Sequence, residues 1–258
     1  SIMLLQGKKI LIMGIRNKWS IAWGAAVSAY EQGAKIIFTY NSESNKHKVE
    51  KLMEEIPGSK IYSCDVSSDP SIRNCFEAIL KENGKIDGIL HAIAHANTED
   101  LRNDFINTSR NGFAHACDVS SYSLIAISKI ASDLELLNEN SSIVTLTYYG
   151  AEKAIDGYNV MGVAKAALES SVRYLSKDLG RSGTRINAIS AGPIKTLSAK
   201  GIKDFGTILD VVEEKSPLHR NVTAKEVGDC CTFLFSDMSK AITGETIHVD
   251  NGFSIIGT

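Results

Sequence analysis

Several patterns that would place a chain in a specialised class are missing from this 258-residue sequence. Its five cysteines form an odd set with no C-x-x-C pair, which fits reduced thiols better than a disulfide framework or a zinc site. The six histidines show no H-E-x-x-H or other ligand spacing, so no metal is expected. No apolar run approaches the roughly 18 residues of a membrane span, and no cleaved-signal pattern opens the sequence. These absences predict a cytoplasmic globular protein without a membrane partner.

An excess of positive charge and a domain linker are also missing. The formal net charge is −2, so a nucleic acid is not an expected partner. Only four prolines occur and no low-complexity segment divides the chain, so we expect a single domain over residues 1–258.

Short apolar, β-branched segments with turn-like flanks recur along the chain and predict about seven strands. They are KKILIMG (8–14), AKIIFTY (34–40), KIYSCDV (60–66), GILHAIA (88–94), SIVTLTY (142–148), TRINAISAG (184–192) and GETIHVDNG (244–252). Segments with helical periodicity separate them, for example the one from Ser20, a candidate N-cap, to Gly33, a candidate C-terminal glycine. Such alternation predicts an α/β fold, a Rossmann-like doubly wound parallel sheet with helices on both faces.

The turn after the first strand has features of a dinucleotide site, although the three-glycine fingerprint is absent. Gly14 ends the strand and Ser20 opens the helix, an arrangement that leaves backbone N–H groups free for a pyrophosphate. Asp65 lies in the Cys64–Val66 segment that ends the third strand, and the small, apolar His91–Ala94 segment ends the fourth. These ends meet at one edge of a parallel sheet. Taken alone, the turn fits a βα connection without a ligand equally well.

The end of the second strand bears on the choice of nicotinamide cofactor. Residues 40–43, YNSE, contain no arginine or lysine that could pair with a 2′-phosphate, and the nearest base is Lys46. NADH is therefore expected in preference to NADPH.

Tyr158 and Lys165 lie seven positions apart in a segment that should be helical. On one helix they would point within roughly 20° of each other and lie about 10 Å apart along the axis. An ammonium near a phenol favours the phenolate and makes the phenol a better proton donor, while the lysine could also bind ribose hydroxyls. Tyr148, at the end of the fifth strand, should project into the same crevice. The plainer alternative is that these side chains serve only packing or surface charge.

The motifs around these residues resemble the NADH-dependent enoyl-acyl-carrier-protein reductases of bacterial fatty-acid synthesis, within the short-chain dehydrogenase/reductase superfamily. They are YNVMGVAKA with its Y-x6-K spacing, the preceding TYYGAE, NAISAGPIKTLSAKGIKDF (187–205), DVSSYS (118–123), VTAKEVG (222–228) and HVDNGFS (248–254). The similarity runs from about Leu5 to Ile255.

The spacing also separates this family from its relatives. Carbonyl-reducing members carry Y-x3-K and a serine about thirteen positions before the tyrosine, whereas this chain has Gly162 and Thr145 at those places. Two alternatives to an enoyl reductase remain: a carbonyl reductase or alcohol dehydrogenase of the same superfamily, and a nicotinamide-binding sensor without turnover.

The resemblance implies specific roles, in a last step of fatty-acid elongation that consumes enoyl thioesters of acyl carrier protein. Tyr158 would donate to the enolate-like oxygen, Lys165 would hold the nicotinamide ribose, and Tyr148 would contact the thioester. Cofactor contacts would be Gly14, Ser20, Ile21, Asn41, Asp65, Val66, Ile93, Lys165, Ile194 and Thr196, and substrate contacts Ala96, Tyr148, Met161, Ile202 and Phe205. Relatives are homotetramers. The chain departs from them at His95, where phenylalanine is usual, and at Tyr149, where leucine is usual.

The segment after the sixth strand is too long for a plain connection, and we expect a substrate-binding lid at 193–217. Ile202, Phe205, Ile208 and Leu209 recur at helical spacing and would offer an apolar face to an acyl chain. Lys200 and Lys203 could meet the acidic carrier protein. A helix that merely packs on the domain is the alternative.

Overall fold

A computed structural model describes residues 2–195 and 205–258. The predicted strands form one parallel sheet in the order β3-β2-β1-β4-β5-β6-β7, which confirms the doubly wound fold. The strands are β1 Lys9–Met13, β2 Lys35–Tyr40, β3 Lys60–Ser63, β4 Ile86–His91, β5 Leu137–Thr147, β6 Arg185–Ala191 and β7 Thr246–Val249.

Helices connect these strands on both faces of the sheet. They are α1 Ile21–Glu31, α2 Glu43–Met53, α3 Asp69–Asn83, α4 Thr98–Arg102, α5 Arg110–Cys117, α6 Ser123–Asp133, α7 Val160–Leu179, α8 Phe205–Lys215 and α9 Ala224–Phe235. A π-helical turn, Asp118–Tyr122, joins α5 to α6. In the described residues, no helix has both the length and the apolarity to span a membrane.

Four strands differ from their predicted bounds by more than one residue. Strand β3 ends at Ser63 and not at residue 66, and β7 spans Thr246–Val249 and not 244–252. Strand β4 ends at His91, so Ala92–Ala94 leaves the sheet as a loop. Strand β5 begins at Leu137, five residues earlier than predicted, and pairs Leu137 with Ile86. A register shift between Ile86 and Gly88 accommodates the 138–141 segment within the strand. This segment is polar, so the apolar pattern that predicts a strand does not extend over it.

The first helix begins and ends at the predicted signals. The Ser20 hydroxyl accepts a hydrogen bond from the Trp23 amide at 3.2 Å, which caps α1. Gly33 follows the last turn with φ of +92°, the left-handed conformation that a glycine adopts without strain. This cap fixes the start of α1 beside the carboxyl end of β1.

The strand order reverses direction at β1, which pairs with β2 on one side and β4 on the other. The connections after β1 and β4 therefore leave the sheet in opposite directions and open a crevice at its carboxyl edge. Separate apolar cores support the two faces, one around Phe38 and Phe235 and the other around Phe76 and Leu124.

Candidate active site

The crevice between the ends of β1 and β4 holds two adjoining cavities of about 510 and 460 Å³. The larger, termed here the strand-two cavity, extends past the ends of β2 and β3. The smaller, termed the tyrosine cavity, extends past the ends of β5 and β6. Both share Gly14 and the Ala92–His95 loop, so they form one continuous groove across the switch point of the sheet, which is where a dinucleotide binds in a doubly wound fold.

Gly14 makes this groove possible at its centre. A Cβ at this position would lie 2.0 Å from the Ala92 carbonyl oxygen, and its φ is +99°. Only glycine adopts that backbone conformation without strain and has no Cβ to clash with the loop after β4.

Every predicted cofactor residue in the described part of the chain lines the groove. Asn41, Asp65 and Val66 line the strand-two cavity; Ser20, Ile21, Lys165 and Ile194 line the tyrosine cavity; Gly14 and Ile93 line both. Thr196 lies outside the described residues.

The Asp65 carboxylate is oriented by its own turn. Its Oδ1 accepts from the Ser67 amide at 3.0 Å and from the Ser67 hydroxyl at 2.6 Å. The carboxylate therefore keeps a fixed position at the end of β3, where a polar edge of an adenine could be received.

Two bases of the strand-two cavity were missed by the sequence analysis. Arg16, from the β1–α1 turn, and Lys48, one turn into α2, both line it. Lys46, the base considered from sequence, instead places its ammonium 5.3 Å from the centre of the Tyr40 ring. Arg16 and Lys48 reach the cavity from a neighbouring turn and from the following helix, so the sequence of the strand end alone does not indicate them.

Tyr158 does not lie on the helix that carries Lys165, contrary to the prediction. Helix α7 begins at Val160, and its N-cap, Asn159, has φ of +50°. The Asn159 amide donates to the Asp100 carbonyl at 3.0 Å and to the Asn103 carbonyl at 2.7 Å, which holds this left-handed residue in place. The predicted angle therefore does not apply, yet Tyr158 and Lys165 still line one cavity, each only 7% exposed.

Two glycines allow the ring of Tyr158 to pack closely against its surroundings. A Cβ on Gly150 would lie 2.5 Å from Tyr158 Cδ2, and a Cβ on Gly162 would lie 2.6 Å from the Gly150 carbonyl oxygen. Position 162 is the +4 position at which carbonyl-reducing relatives carry lysine. No side chain fits there without a shift of the 149–151 turn.

A chain of aromatic contacts leads from Tyr158 to the C-terminal segment. The rings of Tyr158 and Tyr148 have centroids 4.7 Å apart, as do those of Tyr148 and Tyr149, and Tyr149 contacts Phe253 at 5.5 Å. All are edge-on arrangements, which aromatic quadrupoles favour. Tyr149, the position at which relatives usually have leucine, therefore packs against Tyr148 and helps to hold its ring in place.

The electrostatics of Tyr158 also differ from expectation. Burial raises the pKa of its phenol, and the Glu169 carboxylate raises it further, so the phenol is protonated at neutral pH. Lys165 is not among the groups that shift this pKa, so the expected lowering by its ammonium does not occur. Tyr158 thus has a proton to donate.

Lys165 lies beneath the groove with its ammonium donating to the Leu146 carbonyl at 2.8 Å. Burial lowers the pKa of this ammonium to about 8, an effect that the negative charge of Glu169 opposes. The Lys165 ammonium therefore starts to lose its proton only slightly above neutral pH.

Thr145, at the place of the serine in carbonyl reducers, is fully buried and directed into the sheet. Its hydroxyl donates to the His91 carbonyl at 3.1 Å and lies 2.9 Å from His91 Nδ1. Burial, together with the charge of Lys165, lowers the pKa of His91 to about 3, so this imidazole is neutral. Neither group is available to a carbonyl substrate.

The predicted substrate residues Ala96, Tyr148 and Met161 line the tyrosine cavity, beside the apolar Leu101, Ile155 and Ile208. Ile202 lies outside the described residues, as does the side chain of Phe205, whose backbone begins α8. Across the described residues, no group of three or more side chains has the arrangement of a metal site.

Comparison with known proteins decides the family. The model of the enoyl-(acyl carrier protein) reductase family matches residues 14–254. This chain belongs to that family. The match confirms the resemblance that the motifs indicated.

Characterised relatives are similar over nearly their whole length. The Bacillus cereus enoyl-[acyl-carrier-protein] reductase [NADH] is 50% identical over 256 residues, which cover 98% of this chain and 99% of the relative. The Staphylococcus aureus enoyl-[acyl-carrier-protein] reductase [NADPH] is 52% identical over 254 residues, with 98% of each chain covered. The family thus includes members named for either nicotinamide cofactor.

Solved structures agree with this assignment. The Bacillus cereus reductase in complex with NADP+ and an indole naphthyridinone matches with a TM-score of 0.97 at 50% identity, covering 99% of this chain and 100% of that one. The Aquifex aeolicus reductase (NADH) matches with a TM-score of 0.94 at 45% identity, and 99% of each chain is covered.

Proposed function

We propose that this protein reduces the trans-2 double bond of enoyl-acyl-carrier-protein thioesters with NADH, the last step of the fatty-acid elongation cycle. One observation carries the proposal: Tyr158 and Lys165 line a single cavity of the crevice, while the two positions that serve carbonyl reduction are closed. Gly162 packs against Gly150 and Thr145 is turned into the sheet.

The chemistry follows from where negative charge develops. A bound nicotinamide supplies the hydride, which reaches the β-carbon, so the charge appears on the thioester oxygen two carbons away. Tyr158, protonated and packed against its aromatic and glycine contacts, donates a hydrogen bond to that oxygen and then its proton, which gives the enol of the thioester. Tautomerisation of this enol places a proton on the α-carbon and completes the reduction, and the Tyr158 phenolate regains a proton from solvent. Lys165 holds the ribose hydroxyls, and Tyr148 contacts the thioester. The acyl chain occupies the apolar end of the tyrosine cavity, beside Ala96 and Met161.

The crevice fits a nicotinamide dinucleotide, and NADH is the form proposed. Its support is the strand-two end, where YNSE offers no cation at the position that faces a 2′-hydroxyl. Arg16 and Lys48, which line the same cavity, weaken the preference for NADH over NADPH, because either could approach a 2′-phosphate.

The setting of the reaction is also part of the proposal. The chain would act as one reductase domain over 1–258, with the segment 193–217 as its lid, on acyl carrier protein in the cytoplasm. A homotetramer is proposed as well. Its support is a set of large side chains exposed in the single chain, namely Phe105, Ile106, Phe113, Tyr122 and Tyr174. Light scattering of the purified protein tests the assembly.

One assay tests the activity against both alternatives. Loss of NADH absorbance is followed with crotonyl thioesters and with ketoacyl thioesters. We expect turnover of the enoyl substrate only, and a loss of about 10²- to 10³-fold in kcat for Tyr158→Phe, the range for removal of one donor to a developing oxyanion. Tyr30→Phe, a tyrosine near the end of α1 that is 39% exposed and lines neither cavity, is the matched control.

Each other outcome selects a different function. Faster reduction of ketoacyl thioesters would establish the carbonyl reductase. Tight NADH binding without turnover of either thioester would establish the sensor.

A further inference from the structure

Glu169 is a buried carboxylate that the proposed reaction does not use. It lies one helical turn after Lys165 on α7 and is 8% exposed, close to the 7% of Lys165. Residues four apart on a helix lie on the same face, so both side chains point toward the end of β5.

Two adjacent residues of β5 bind this pair. The Leu146 carbonyl accepts from the Lys165 ammonium at 2.8 Å, and the Thr147 hydroxyl donates to Glu169 Oε2 at 2.8 Å. The strand therefore fixes the ammonium through its backbone and the carboxylate through a side chain. The two groups are not in direct contact within 4.0 Å, but they are held at consecutive residues of one strand, so the buried carboxylate can act as a counter-ion to the buried ammonium through space.

We propose that Glu169 is a positioning residue that keeps Lys165 protonated in the apolar floor of the tyrosine cavity, so that the ammonium can bind the ribose of the cofactor. The inference rests on the proposed function for the role of Lys165. It assigns to Glu169 no contact with substrate or cofactor.

The charges around the pair support this direction. Burial lowers the pKa of Lys165 to about 8, and Glu169 is the group that raises it. Burial raises the pKa of Glu169 most, the hydrogen bond from Thr147 lowers it, Glu152 raises it, and His248 and Arg173 lower it. On the far side His91 stays neutral, so it adds no positive charge next to Lys165. Among the described residues, Glu169 thus provides the negative charge that favours the protonated form of Lys165.

Replacement of the carboxylate should shift the titration of Lys165. In Glu169→Gln we expect the Lys165 pKa to fall by about one to two units, the usual effect of an adjacent opposite charge. The Kd for NADH should then be near the wild-type value at pH 6 and about tenfold or more weaker at pH 8.5. The alkaline limb of kcat/KM should move to lower pH by the same amount.

Two readouts do not depend on turnover. The lysine ε-carbon resonances of isotope-labelled protein report the Lys165 pKa directly, with assignment from Lys165→Met. Fluorescence of bound NADH reports the Kd at each pH. If wild-type protein reduces no enoyl thioester, the proposed function fails, yet these two titrations still decide the role of Glu169.

Three variants separate charge from packing. Glu169→Asp keeps the charge and should leave the alkaline limb of kcat/KM close to its wild-type pH. Thr147→Val removes the hydrogen bond to Glu169 but not the charge, and it should lower the pH of this limb by less than Glu169→Gln does. Asp178→Asn removes a carboxylate that is 66% exposed on the same helix and should leave the limb in place.

The inference is overturned if Glu169→Gln leaves the Lys165 titration unchanged. It is equally overturned if NADH affinity falls by the same factor at pH 6 and pH 8.5, since a merely structural role predicts a loss that does not vary with pH. Thermal unfolding of each variant shows whether the fold has been kept.

Discussion

Position 162 shows how a single glycine limits the chemistry of this site. Its Cβ would meet the Gly150 carbonyl oxygen at 2.6 Å, and the turn that contains Gly150 supports the Tyr158 ring. We expect Gly162→Ala to cost about 1–3 kcal/mol, the range for overpacking, and to lower kcat through displacement of Tyr158. Chemical denaturation and steady-state kinetics measure the two effects. Gly180→Ala, where a Cβ meets nothing within 4 Å, is the matched control; equal behaviour of both variants would contradict the argument.

Arg16 should influence which nicotinamide cofactor is used. It lines the strand-two cavity together with Lys48, and a 2′-phosphate is the part of NADPH that NADH lacks. We expect Arg16→Ala to raise the KM for NADPH about tenfold, as for the loss of one charged hydrogen bond, and the KM for NADH much less. Lys46→Ala serves as control because Lys46 packs on Tyr40. An equal rise for both cofactors would exclude a 2′-phosphate contact.

At the scale of elements, the seven strands and their alternation with helices were predictable. Strands that are buried on both faces of the sheet appear in the sequence as continuous apolar segments. The residues at strand ends, such as Asp65, were predictable for the same reason. Arg16 and Lys48 were not, since a turn and a helix bring them to the groove from outside the strand ends. Glu169 was not either, because it lines neither cavity and contacts Thr147 from α7. The start of α7 was also missed, although Gly157 and Asn159 beside Tyr158 are residues that favour a left-handed backbone.

The left-handed residue before α7 should be essential to the position of Tyr158. Asn159→Ala loses two hydrogen bonds, to the Asp100 and Asn103 carbonyl groups, and strains a φ of +50°, so we expect a loss of about 3 kcal/mol in the free energy of unfolding. Asn159→Gly loses the bonds without the strain and should cost about 2 kcal/mol. Denaturation measures both, and kcat should fall in each. If the glycine variant were the less stable, backbone strain would not be part of the explanation.

At the scale of the whole molecule, a dinucleotide in this groove would contact both parts of the sheet, β1 to β3 on one side and β4 to β7 on the other. A ligand that binds only the folded chain stabilises it by about 2.7 kcal/mol at a hundredfold excess over Kd. For a chain of this length the Tm should therefore rise by about 5–10 °C. Differential scanning fluorimetry with NADH, at one fixed protein concentration, measures the shift. Tyr158→Phe should keep it, because its hydroxyl acts on the substrate oxygen, whereas Lys165→Met should reduce it at the same NADH concentration. A full shift in Lys165→Met would mean that the ammonium does not hold the cofactor, and a lost shift in Tyr158→Phe would mean that the phenol serves binding and not proton transfer.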